Sequence, residues 1–236
     1  MRIKDKIIEL IFIMIPAIGI GQRIGFQEIN NSKVTSWFPK FTMEYQHVYH
    51  FGDSEMESDF ILLLGIDTYY AQIKSGKWSD DGKSLIWQYE NLTNVRIDGN
   101  KFYSDKTNGE FVIYDNGQEK VKGLKIFNPW SGVTENGEYE IGTKSYSVTD
   151  YFPGKLTQAS LRKLSADELI KMPKSDLKIM RNEIFARYGF IFKSGGEIAK
   201  YFKKQDWYIE QHNNVDKFLT DLEMENIKLI QQIENE

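Results

Sequence analysis

The chain has 236 residues, of which 41% are apolar, 14% aromatic and 27% charged, with a formal net charge of -4. This is a soluble globular composition with material for one large core or two small ones. It lacks the basic surface that displaces counterions from nucleic acid, so no nucleic-acid partner is expected. The absence of cysteine excludes disulfides, thiolate metal sites, cysteine nucleophiles and acyl-cysteine anchors together.

The first predicted element is an export signal over residues 1–21. Arg2, Lys4 and Lys6 make a basic start, and Ile7 to Ile20 is an apolar stretch interrupted by Glu9. Gly19 and Gly21 stand where a signal peptidase requires small side chains, so cleavage is expected before Gln22. The apolar run is shorter than the ~20 residues of a membrane span, and membrane contact is expected only through this signal. Residues 22–33 read as a polar lead-in.

From Val34 to Lys155 the chain reads as an antiparallel β domain. Asp81-Gly82, Asp98-Gly99, Asn108-Gly109, Asn116-Gly117 and Asn136-Gly137 supply the positive φ angles that tight hairpins need. Residues 59–65 form a buried-strand candidate, and 68–75, 84–90, 94–97, 101–104, 110–114 and 121–127 are further β-prone runs. Their spacing predicts a meander curled into a roll, half-barrel or small barrel.

Helical periodicity replaces alternation near Leu161. Leu161 to Met172 is a predicted short helix with the capping box Ser165-x-x-Glu168 inside it, stopped by Pro173. Ser175 can cap a second helix to Tyr188, where Leu177, Met180, Ile184 and Tyr188 recur at helical spacing and Gly189 suits the position after the helix end. Residues 190–192 are a short extended piece. Glu197 to Lys204 is a third helix with Ile198, Tyr201 and Phe202 inward, and Thr220-x-x-Glu223 caps a last helix to Ile233. The expected fold class is α+β, with the β domain over 34–155 and a small helical domain over 160–236.

Helix 174–188 carries apolar groups on nearly every side, which makes it central and buried. Its polar residues must then be satisfied internally. Glu183 and Arg187 are spaced i,i+4 in the favourable order. Arg181, Asn182, Glu183 and Arg187 are expected to hold loops by hydrogen bonds to backbone carbonyls and carboxylates. The alternative is an anion-binding pocket built on Arg181 and Arg187.

Residues 181–192, RNEIFARYGFIF, and 201–208, YFKKQDWY, resemble the YARHG domain, a small bacterial module. Arg181, Asn182, Glu183, Ile184, Ala186, Arg187, Gly189 and Phe192 match its motif, as do Tyr201, Phe202, Gln205, Trp207 and Tyr208. The last helix has the family's look too, with Asn226 in its apolar stripe. Phe185 stands where tyrosine is usual and Tyr188 where histidine is usual. The resemblance covers residues 160–236 and implies an extracytoplasmic module that occurs beside varied partner domains and carries no known catalytic activity.

Candidate chemistry is sparse. His47 and His50 resemble a metal pair, but on a strand residues three apart point to opposite faces. His212 is isolated. Asp53, Glu55, Glu57 and Asp59 alternate and in an extended segment would share one face, open to a hard cation or, more simply, forming a solvated loop. Gly19, Gly21 and Gly25 miss the Rossmann spacing, no Gly-x-Ser-x-Gly elbow is present, and no cofactor is expected. The aromatics are the best lead. Tyr69, Trp78, Trp87, Tyr89 and Tyr103 lie on adjacent hairpins and could stack on sugar or clamp an extended peptide. Tyr70, Phe102 and Tyr114 accompany them. Arg181, Asn182, Glu183, Arg187, Gly189 and Trp207 are the motif positions expected to be structural.

Together these features point to an exported, non-catalytic binding or interaction protein of the bacterial cell envelope or secreted space. It would be periplasmic, on the cell surface or extracellular, with an envelope glycan, peptide or protein as partner. A hydrolase acting on cell-wall polymer or peptide and a purely structural envelope component are the alternatives.

Overall fold

The computed structural model describes residues 22–24, 27–65, 67–127, 129–131 and 138–236. The expected export signal, Gly25 and the Asn136-Gly137 corner lie outside them. Twelve strands are present among the described residues: β1 (Gln22–Ile24), β2 (Gln27–Glu28), β3 (Val34–Ser36), β4 (His47–Phe51), β5 (Ser58–Leu64), β6 (Tyr69–Trp78), β7 (Leu85–Leu92), β8 (Arg96–Asp98), β9 (Lys101–Tyr103), β10 (Asn108–Asp115), β11 (Lys120–Phe127) and β12 (Tyr139–Lys144). Six helices follow: α1 (Val148–Tyr151), α2 (Gln158–Leu161), α3 (Ala166–Leu169), α4 (Lys174–Arg187), α5 (Glu197–Phe202) and α6 (Asp221–Asn235). The fold is α+β.

The sheet runs β7-β6-β5-β4-β12-β11-β10-β9-β8 with every neighbour antiparallel. Its two ends, β7 and β8, are consecutive in the chain and joined only by residues 93–95. A connection that short spans at most about 14 Å. The sheet therefore curls until its ends approach each other, which makes it a half-barrel.

Gly82, Gly99 and Gly117 sit in the turns β6–β7, β8–β9 and β10–β11 with φ of +68°, +58° and +90°. The expected corner at Asn108-Gly109 is not a turn. Both residues lie inside β10, where Gly109 pairs with Phe102 and Ile126. The turn falls earlier, closed by Ser104 N–H donating to the Thr107 carbonyl at 3.0 Å. A Cβ on Gly109 would lie 2.5 Å from the Lys125 carbonyl, so close strand packing, not a positive φ, explains this glycine.

Alternation sorts the side chains to two faces. The concave face buries Tyr49, Phe51, Phe60, Leu62, Ala71, Ile73, Phe111, Leu124 and Ile126, closed by Trp37, Tyr45 and Phe102. Tyr45 stacks on Phe111 with ring centroids 3.9 Å apart, and its hydroxyl donates to the Trp37 carbonyl at 2.8 Å. The convex face is covered as well. Over β10–β12 it is covered by the N-terminal segment, where β1 pairs with β12 in parallel and Ile29 packs on Val112, Tyr114, Tyr139 and Ile141. The stretch read as a polar lead-in thus contributes strands and a core residue. Over β4–β6 the helices cover it, with Val48, Ile61 and Leu63 buried against Val148 and Leu222. Burial on both faces explains why β5 is a continuous apolar run.

Two helix predictions change. Leu161 to Met172 is not one helix: α2 ends at Leu161 and the single turn α3 lies beyond a break, with Ser165 as the N-cap of α3 and not inside it. Buried Asn226 enforces the break, accepting from Leu164 N–H at 2.9 Å and donating to the Arg162 and Ala159 carbonyls at 2.8 Å each. Helix α4 starts at Lys174 with Pro173 at its N-cap, so Ser175 lies in the first turn and caps nothing. The Pro173 carbonyl accepts from Asp176 and Leu177 N–H. Leu177, Met180, Ile184 and Tyr188 are all buried, and Thr220 and Glu223 form a capping box on α6.

Candidate functional site

The convex faces of β6 and β7 carry Gln72, Lys74, Trp87 and Tyr89 toward the helices, because Lys74 pairs with Tyr89 and Gly76 with Trp87 across the ladder. Facing them are the C-terminal end of α4 from Ala186 to Gly189, the segment 207–211, and residues 151–153 after α1. Together they enclose a cavity of about 200 Å³.

The helical wall is fixed by backbone chemistry. Gly189 has φ +71°, and the N–H groups of Gly189 and Phe190 donate to the carbonyls of Ala186 and Phe185, which is a Schellman ending. The Gly189 carbonyl accepts from Gln211 and His212 N–H at 2.8 and 2.9 Å. Gln211 then clasps the edge of β7. Its Oε1 accepts from Trp87 N–H at 3.1 Å and its Nε2 donates to the Leu85 carbonyl at 3.0 Å. His212 Nε2 lies 2.8 Å from the Trp87 carbonyl. An exposed strand edge is thereby satisfied.

Arg187 lies on the cavity wall with its side chain only 3% exposed. Its Nε donates to the Pro153 carbonyl and its Nη1 to Ser160 Oγ, each at 2.8 Å. Nη2 stands 3.4 Å from Glu183 Oε2 and makes no hydrogen bond among the described residues. Glu183, equally buried, accepts from the N–H groups of Lys155 and Leu156. Burial lowers the pKa of Arg187, while Glu183 and Glu223 oppose that shift. Behind it, burial raises the pKa of Glu223 against hydrogen bonds from Ser160, Thr220 and Tyr188 and the charge of Arg187.

Lys74 is the second cation on the wall. Its Nζ lies 4.2 Å from the centre of the Trp87 ring and 5.4 Å from that of Tyr151. Burial lowers its pKa, against the charges of Asp59 and Glu57. Asp59 is its cross-strand partner, yet both Asp59 oxygens are engaged elsewhere. Oδ1 meets His50 Nδ1 at 2.9 Å and Oδ2 accepts from the Tyr151 hydroxyl at 2.8 Å. Lys74 forms no ion pair or hydrogen bond among the described residues.

The residues singled out in the sequence are scattered by the fold. Of the five rings, Trp87 and Tyr89 reach this cleft. Tyr69 lines a separate groove beside Asn91 and Asp221. Trp78 is 48% exposed at the end of β6. Tyr103 lies under Arg96, 4.5 Å from its guanidinium carbon. Tyr70 packs toward the helices, Phe102 is fully buried in the concave core and Tyr114 lies on the convex side. Trp207 joins the cleft from the motif. Arg181 does not meet Arg187, because its Nε pairs with Glu234 Oε2 at 2.6 Å on α6. An anion pocket on those two arginines is therefore not formed. Asn182 holds no loop and donates to Lys178 O within its own helix. The acidic alternation is broken by a 3-10 turn at Ser54–Met56, so Asp53, Glu57 and Asp59 do not share one strand face. Among the described residues no cluster of His, Asp and Glu is arranged to hold a metal ion, and no helix is long and apolar enough to cross a membrane.

A larger groove of about 520 Å³ lies between the β5–β6 end and helices α2 and α6. Its basic residues are paired, Arg162 with Glu168 at 2.7 Å and Lys163 with Glu225 at 3.0 Å. It therefore lacks the uncommitted cation of the first cleft. Lys74 and Tyr151, central to that cleft, carried no sequence signal. Their neighbours Trp87 and Arg187 did.

Comparison with known proteins adds one match. Residues 154–235 fit the model of the YARHG domain. No curated protein and no solved structure matches the chain. The match starts at Gly154, six residues before the resemblance traced from the motif, and so takes in the loop that Glu183 holds. The C-terminal part of this chain, residues 154–235, is a YARHG domain packed on the convex face of a β half-barrel.

Proposed function

We propose that the chain is an exported, non-catalytic binding protein of the bacterial cell envelope, and that its ligand enters the cleft between β6–β7 and the end of α4. One observation carries this function: the cleft is the place where sheet and YARHG domain jointly present two cations and the rings of Trp87, Tyr89, Tyr151 and Trp207. Convergent polar groups in an aromatic-walled cavity are the usual form of a binding site. At about 200 Å³ the cavity is below the roughly 300–1,000 Å³ of sites for drug-sized molecules. It suits one residue of a polymer. Among the described residues no carboxylate lines its wall, which supports binding over glycoside hydrolysis, a reaction that uses a pair of acids. The Gly19 to Gln22 junction supports export.

The test is sedimentation of the purified chain, starting at Gln22, with isolated cell-wall sacculi. Wild type is expected to co-sediment and Trp87→Ala to remain in solution. Equal behaviour of both would remove the cleft as the ligand site. Mass spectrometry of the protein from its native host checks export separately, with Gln22 expected as the first residue. Retention of Met1 would refute cleavage of a signal.

A further inference from the structure

We infer that the cleft recognises a carboxylate group, with Lys74 Nζ as its counter-ion and the rings of Trp87 and Tyr151 beside it. This rests on the cleft being the ligand site.

The first argument is the state of Lys74. It is half-buried, and an ammonium carries three donors. Aromatic faces stabilise its charge but accept no strong hydrogen bond. Its natural partner, Asp59, is occupied at both oxygens by His50 and Tyr151. Tyr151 therefore does two things, donating to Asp59 Oδ2 and supplying a ring beside Nζ. Lys74 thus feels the charges of Asp59 and Glu57 but makes no hydrogen bond to either among the described residues, and an incoming anion can take up its free donors.

The second argument is the sign and size of the charge. The wall carries Lys74 and Arg187 and no acid. Arg187 gives its Nε to Pro153 and its Nη1 to Ser160, and its Nη2 makes no hydrogen bond among the described residues but faces Glu183 at 3.4 Å, so it adds positive potential but no free bidentate fork. Phosphate sites commonly use a bidentate arginine or a helix N-terminus. Neither is offered here. The helix that meets the cleft is α4, and it presents its C-terminal end, whose partial negative charge disfavours a multiply charged anion. A singly charged, planar carboxylate on an apolar or sugar stem fits one lysine between rings. The chemical class is thus an acidic residue of an envelope glycan or peptide.

The experiment uses the full mature chain and three probes: N-acetyl-alanine, its methyl ester, and methyl phosphate. Binding is followed by NMR through the indole N–H signals of Trp87 and Trp207. The acid is expected to shift these signals, and its affinity to fall at least tenfold in Lys74→Gln and in 0.5 M salt relative to 50 mM. The ester and the phosphate are expected to leave the signals unmoved at the same concentrations. Lys74→Gln removes a half-buried charge, so its thermal midpoint is expected not to fall, which separates lost binding from lost fold. Lys74→Arg retains the charge and is expected to keep binding within a few-fold. Equal binding of acid and ester, or preference for phosphate, would overturn the inference. Sacculi retained by Lys74→Gln but lost by Trp87→Ala would overturn it while leaving the cleft as the ligand site. If neither substitution affects sacculi, the cleft itself is excluded.

Discussion

The side-chain amide of Gln72, on β6, donates to the backbone carbonyl of Phe218 at 2.8 Å across 146 residues of sequence. Asn91 supports the same carbonyl from the next strand at 3.2 Å, and the Gln72 amide also reaches Asn91 Oδ1 at 2.8 Å. The half-barrel and the YARHG domain are stitched together by buried polar contacts as well as by apolar packing.

Gln72→Leu removes this stitch and leaves buried polar groups underpaired. The expected loss is about 1–3 kcal/mol, read as a shift of the urea midpoint. Wild type should unfold in one transition, with tryptophan fluorescence and far-ultraviolet dichroism coincident. Separate transitions for sheet and helices would show that the two halves are not one cooperative unit.

Gly154 has φ +118°, and a Cβ there would collide with Glu183 Oε1. Gly154→Ala is therefore expected to cost about 1–3 kcal/mol for the backbone conformation and more for displacing Glu183 from Lys155 and Leu156. Denaturant titration measures the sum. A change under about 0.5 kcal/mol, the range of a neutral surface substitution, would contradict the close approach.

Asn226 is 1% exposed and bonded to three backbone groups. Asn226→Leu strands one N–H and two carbonyls, each costing about 1–3 kcal/mol when unsatisfied. The predicted destabilisation is about 3 kcal/mol or more, larger than for Gln72→Leu. Asn226→Asp keeps the acceptor for Leu164 but turns a buried carboxylate oxygen toward the Ala159 and Arg162 carbonyls, so a loss at least as large is expected.

His47 and His50 should titrate on opposite sides of the ordinary value of about 6.5. The hydrogen bond to Asp59 raises His50, against its burial and with further help from Glu57 and Asp53. Burial, then the charge of Lys144, lowers His47. The stability contributed by His50 is fully present below about 6.5 and lost as pH rises through its higher folded value. That contributed by His47 is present above about 6.5 and lost as pH falls through its lower one. An NMR pH titration of the imidazole signals reads both. Asp59→Asn should bring His50 down. Identical midpoints for the two rings in wild type would refute the His50–Asp59 hydrogen bond.

Much of the chain's local structure was legible beforehand. Positive φ at Gly82, Gly99 and Gly117 follows from their turn dipeptides, and the end of α4 follows from Gly189, because these conformations are nearly reserved for glycine. The capping box at Thr220 and the buried stripe of α4 follow from spacing alone. Gly109 misled because its sequence context matches a turn while its cause is a neighbouring strand. Leu161 to Met172 misled because the group that breaks it, Asn226, is distant in sequence.

The sequence by itself therefore determined β4 to β11, the turns at Gly82, Gly99 and Gly117, the end of α4, the cap of α6 and the YARHG module, all set by interactions within a few residues. Only the tertiary structure decided that the module covers the sheet's convex face, that Arg181 and Arg187 part company, and that Lys74 comes to lie between Trp87 and Tyr151 with its acid already taken. Those outcomes depend on which face a strand turns toward a distant helix and on which partners a buried charge finds there, and neither is encoded at short range.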